Sequence, residues 1–142
     1  MKKLKSIMLG LTLLVVCSAA KATTLNDNDN LTATHAVNTY VDAMTRGRLS
    51  GLNEVLDSSV KFSMLRGKKL LSFSKKEMMD FFKADKNVEQ SCTTSTSIVE
   101  SNADVKLVKV DMKFQEFTRT NYVTLANTGD GWKITNVYSV FK

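Results

Sequence analysis

The 142 residues are 43% hydrophobic and 24% charged, too apolar for a disordered chain and about the length of one domain. The formal charge of +6 includes Lys2, Lys3, Lys5 and Lys21. Without them 16 basic residues face 14 acidic ones, so a nucleic-acid partner loses its main support.

The first 22 residues read as a secretory signal peptide. Lys2, Lys3 and Lys5 give a basic start, Ile7 to Val16 an apolar core too short to span a bilayer, and Ala20-Lys21-Ala22 a small-x-small cleavage site. Cleavage after Ala22 predicts a periplasmic or secreted protein, with no membrane contact once the leader is gone. Val16 stands where a lipoprotein needs a small residue before its cysteine, which argues against acylation of Cys17. Cys17 leaves with the leader, so Cys92 has no disulfide partner and reads as a small buried hydrophobe. Residues 23–30 are polar and read as a flexible entry to a domain over 31–142.

Thr32 or Thr34 can cap a first helix, in which Ala36, Val37, Tyr40, Val41 and Met44 recur at helical spacing. Gly47 can end it. A second helix is expected over Leu49 to Leu56, then a strand over Val60 to Met64, a turn at 66–69 and a return strand from Leu70 to Phe73. Ser74 and Glu77 form a capping-box pattern ahead of a third helix bearing Met78, Met79, Phe81 and Phe82. Val88 to Glu100 reads as a Ser/Thr-rich strand. Val105 to Phe114, Asn121 to Ala126 and Trp132 to Val140 follow as three antiparallel strands.

With a tight turn at Thr118-Arg119, Glu116 faces Asn121, Phe114 faces Val123 and Met112 faces Leu125. With Asn127 opposite Trp132, Leu125 faces Ile134, Val123 faces Asn136 and Asn121 faces Tyr138. This register gathers Met112, Phe114, Val123, Leu125, Trp132 and Ile134 on one face. Tyr122 and Val137 fall on the polar face. Val105-Leu107 is out of phase with Val108-Val110, so a bulge is expected near Leu107. Trp132 is expected to be largely buried, with about 3–5 kcal/mol lost on truncation to Ala. Lys133, its outward neighbour, should cost no more than about 0.5 kcal/mol. The order helix, helix, hairpin, helix, four strands argues α+β, a curved mixed or antiparallel sheet with three helices on one face forming a cone.

Three stretches carry a family resemblance: Tyr40 to Met44, Leu52 to Asp57 running into Val60-Lys61-Phe62, and Asn121 to Ala126 with Gly131 to Val137. The chain resembles the nuclear-transport-factor-2-like superfamily, also called SnoaL-like or ketosteroid-isomerase-like. Within it, the chain is similar to small secreted bacterial proteins labelled lumazine-binding. The resemblance implies a cone-shaped pocket and, often, a homodimer through the sheet, which Tyr122 and Val137 would suit. It does not fix an activity.

The expected ligand is a small apolar or aromatic molecule, bound without being transformed. Pocket candidates are Tyr40, Met44, Phe62, Phe82, Phe114, Trp132, Asn136 and Tyr138. Met44, Met64, Met78, Met79 and Met112 belong to the core and could also make an adaptable pocket. The alternatives are a lyase or isomerase working by proton transfer, with Glu116 as base and Tyr138 as donor, and a dimeric interaction module. Enzymes of the superfamily use carboxylate, histidine or tyrosine groups in the cone. Here the only histidine, His35, lies at the start of the first helix in a solvent-facing or capping role. Lys75 reads as a solvated charge. No cofactor or metal is expected, since no His/Cys cluster has ligand spacing.

Overall fold

A computed structural model describes residues 32–142. The leader at 1–22, its cleavage site, Cys17 and the polar segment 23–30 lie outside the described residues.

Helix α1, Ala33–Arg46, begins where the Thr32 hydroxyl accepts the His35 N–H at 3.0 Å. Its buried stripe is Ala36, Val37, Tyr40 and Ala43. It ends at Gly47, whose φ of +64° no β-carbon-bearing residue adopts cheaply. The second helix is shorter than its pattern suggests. Helix α2, Leu52–Val55, is a single turn entered through Gly51 at φ +80°. Leu56 is already extended because it pairs in parallel with Ile134. Strands β1, Leu56–Arg66, and β2, Lys69–Ser74, form a hairpin. Helix α3, Lys75–Ala84, starts with both capping-box bonds, Glu77 N–H to Ser74 and Ser74 N–H to Glu77.

Strands β3, Thr93–Ser101, β4, Val105–Lys113, β5, Thr118–Thr128, and β6, Gly131–Phe141, complete a six-stranded sheet in the order β2-β1-β6-β5-β4-β3. Only the β1–β6 pairing is parallel. The fold is α+β, with the helices packed on one face of the mixed sheet in one core cluster. β3 starts five residues later than its Val88 pattern suggests. Residues 87–90 instead run along the end of α1: Asn87 N–H bonds the Gly47 carbonyl at 3.0 Å, and Gln90 N–H bonds that of Thr45 at 2.6 Å. Cys92 is half-buried against the core, and burial pushes its thiol up.

The sheet register corrects the sequence reading in two ways. The β4–β5 turn is Phe114–Phe117, closed by Lys113 opposite Thr118, so Asn121 faces Val110 rather than Glu116. Phe114 and Phe117 stack across that turn at 4.6 Å, which favours closure there over Thr118-Arg119. The slip is six residues, an even number, so the inner face of β4 and β5 keeps its members. Between β5 and β6 the expected pairing holds as far as Leu125–Ile134, and then the register shifts by one at Thr135. That bulge turns Val137 and Ser139 inward, 1% and 2% exposed, and sends Asn136 and Tyr138 to the outer face. The bulge expected near Leu107 is not in β4, which pairs with β5 without a shift from Val105 to Lys113; the irregularity lies opposite it, with Val99 of β3 as the extra residue.

Two lysines read as surface charges are caps. Lys133 Nζ donates to the Glu54 carbonyl, and Lys75 Nζ donates to those of Asn53 at 2.9 Å and Leu56 at 3.0 Å. The carbonyl end of a one-turn helix has few partners of its own, and these ammonium groups supply them. Lys75→Ala and Lys133→Ala should each cost about 1 kcal/mol in urea melts. Losses under the roughly 0.5 kcal/mol typical of surface substitutions would mean that the bonds contribute nothing.

Candidate functional site

A cavity of about 480 Å³ opens at one end of the cone. The last turn of α1 supplies Ala43 and Met44. The β1–β2 hairpin adds Met64, Arg66, Leu71 and Phe73, and α3 with its following loop adds Met78, Phe81, Phe82, Asp85, Val88 and Gln90. The far wall is Met112, Phe114, Phe117, Arg119 and Phe141, where β4, β5 and β6 meet. Met78 and Phe82, four residues apart on α3, turn inward and are buried. Phe81, on the adjoining face, is 56% exposed at the rim and packs edge-on against Phe73 at 5.7 Å. Phe117 bridges Phe114 and Phe141 across the mouth. Aromatic rings therefore flank both sides of the opening.

A polar cluster lies at the inner end of this wall. Asn121, fully buried, accepts at Oδ1 from Ser139 at 2.6 Å, from Arg119 Nε at 3.1 Å and from the Tyr40 hydroxyl at 3.5 Å. Its amide nitrogen donates to Met112 Sδ at 3.6 Å. Arg119 also donates to Ser139 Oγ at 3.1 Å, and its guanidinium lies 5.4 Å from the Phe141 ring. Burial pushes the Tyr40 phenol up, partly offset by the Arg119 charge, so at neutral pH the phenol is protonated and donates.

Of the sequence candidates, Met44, Phe82 and Phe114 line the cavity. Tyr40 and Phe62 are buried in the core, with rings 6.4 Å apart, and Phe62 meets Phe82 at 6.5 Å. Trp132 is on the inner face as expected, but half-buried and at the opposite end of β6. It borders a separate cleft with His35, Ser50 and Glu54, and Lys106 lies 4.9 Å from its ring. Its truncation should therefore cost less than that of a fully buried ring. Asn136 and Tyr138 are outside the cone, and Glu116 is exposed in the β4–β5 turn. The proposed base and donor thus share no site. Val137 is core and cannot serve an outer contact. His35 is half-buried, with Nε2 3.4 Å from the Thr39 hydroxyl, away from the main cavity.

The sequence reading missed Arg119, Ser139, Phe117 and Phe141, whereas Met64, Met78 and Met112, read as core that could also form a pocket, do line the cavity. A turn at Thr118-Arg119 takes Arg119 out of the strand, and without the bulge at Thr135 Ser139 falls on the outer face. The available signal was the alternation Arg119-x-Asn121 leading into Val123 and Leu125, which marks a polar end to an inward-facing stripe. Among the described residues no three His, Cys, Asp or Glu side chains converge as a metal site, and no helix is long and apolar enough to cross a membrane.

A family model described as "Putative lumazine-binding" matches residues 28–139. No curated protein matches. Solved structures share the fold. A nuclear-transport-factor-2-like protein of unknown function from Silicibacter pomeroyi aligns with TM-score 0.65 and 20% identity, covering 77% of this chain and 92% of that one. One from Shewanella baltica gives TM-score 0.61 and 11% identity, covering 85% and 98%. A ketosteroid isomerase-like protein from Erwinia carotovora atroseptica gives 0.59 and 12%, covering 82% and 98%.

Proposed function

The chain belongs to the family described as "Putative lumazine-binding", and from that premise we propose that it binds a small, flat, largely apolar molecule in the cavity at the open end of its cone. One observation carries this reading: about 480 Å³ of space walled by methionines and aromatic rings, within the usual range for small-molecule sites. Flexible thioethers and flat rings suit a planar ring system, such as the lumazine of the family description. The polar groups on the wall are Arg66, Asp85, Gln90 and Arg119, which can orient a ligand. We read the protein as a binder that does not transform its ligand, exported after loss of residues 1–22.

Leu71, half-buried on the edge strand β2, tests the reading. Leu71→Trp should fill the cavity and weaken binding of 2-naphthalenemethanol at least about tenfold in equilibrium dialysis, while the thermal midpoint shifts by only a few degrees. Unchanged binding would place the probe elsewhere.

A homodimer through the sheet is a second element of the proposal. Tyr122 pairs with Tyr138 on the outer face, beside the paired Leu65 and Val140. Sedimentation should show a dimer that Tyr138→Lys dissociates.

A further inference from the structure

We propose that the ligand carries an anionic group, an aromatic or apolar carboxylate, and that Arg119 receives it. The inference rests on the cavity being the binding site. Arg119 is half-buried in an otherwise mostly apolar wall. A charge there is costly unless something pairs with it. The ion pairs among the described residues are Arg46–Asp42 and Lys109–Asp111, and neither involves Arg119. Its protein partners are neutral acceptors, Asn121 Oδ1 at Nε and Ser139 Oγ at Nη2. Nη1 and the second N–H of Nη2 have no protein partner among the described residues. Among the described residues no buried side-chain nitrogen or oxygen is left unpaired, so Nη1, which has no protein partner there, is open to solvent.

The two bonds and the Phe141 ring hold the guanidinium in place before any ligand arrives. A fixed planar fork with free donors matches a carboxylate better than a neutral carbonyl. The remaining charges on the wall are Arg66 and Asp85, both exposed, which offset each other and leave Arg119 in excess. An aromatic acid would place its ring among Phe114, Phe117 and Phe141, and its carboxylate on Arg119.

The competing role for Arg119 is purely structural, as an anchor for Asn121 and Ser139. Selectivity separates the two. The probes are 2-naphthoate and its uncharged analogue 2-naphthalenemethanol, with Kd values from equilibrium dialysis. Wild type should prefer the acid at least about tenfold. Arg119→Met should lose that preference and still bind the alcohol. Arg119→Lys, which keeps the charge but not the fork, should show a reduced preference, and it decides the matter if the Met variant does not fold. Equal binding of both probes by wild type overturns the anion site but leaves the small-molecule reading standing. A preference kept in Arg119→Met, or undiminished in Arg119→Lys where only that variant folds, also overturns it. Binding of neither probe overturns the small-molecule reading and this inference with it.

Discussion

Gly47→Ala should lower stability by about 3–5 kcal/mol, enough to unfold much of a domain whose total is about 5–15 kcal/mol. Two effects add. The residue sits at φ +64°, which costs a β-carbon-bearing residue about 1 kcal/mol. A methyl group there would also lie 2.4 Å from Asn87 N, 2.5 Å from Asp85 O and 2.9 Å from Val88 N. All three are backbone atoms, so no rotamer relieves the clash. The loop after α3 must move, stretching its bonds to the Gly47 and Thr45 carbonyls. That loop carries Asp85, Val88 and Gln90, so the cavity loses a wall. Gly67→Ala separates the two effects. Gly67 has the same φ of +64°, but nothing lies within 4 Å of its added carbon, so only about 1 kcal/mol should be lost. Equal urea midpoints for the two variants would remove the steric part of the account.

Asn121→Ala should cost about 3 kcal/mol or more. One oxygen accepts from Ser139, Arg119 and Tyr40, and the Ala variant strands three donors in or near the core. Tyr40→Phe removes one long bond of 3.5 Å and leaves the rest of the cluster paired, so it should cost about 1 kcal/mol. Chemical denaturation of both variants measures the difference. A Tyr40→Phe loss as large as that of Asn121→Ala would mean that the cluster is not centred on Asn121.

The local signals in the sequence were physically sufficient for the elements they marked. Thr32, Gly47, Ser74 and Glu77 act through neighbours a few residues away, and each does in the structure what its chemistry suggests. The α+β architecture was legible for a similar reason: alternation and helical spacing survive small errors in boundaries. Register was not legible, because it depends on contacts across strands. The Phe114–Phe117 stack that closes the β4–β5 turn is visible only once the strands are placed. An even slip left Val123 and Leu125 inside, whereas the single extra residue at Thr135 exchanged Tyr138 for Ser139. The site suffered more than the fold, since a pocket depends on which individual side chains point inward. Trp132 illustrates the remaining gap: its face was readable, but not which end of the cone it occupies.

The methionines offer the most direct measurement of ligand position. Met44, Met64, Met78 and Met112 line the cavity, whereas Met79 borders a separate surface groove beside Lys75 and Lys83. In a titration of methyl-¹³C-methionine protein with 2-naphthalenemethanol, the four cavity methyl groups should shift together and saturate. Met79 and the Trp132 indole, at the other end of the cone, should stay in place. Shifts confined to Met79 or Trp132, or no shift in the four, would contradict the cavity as the binding site.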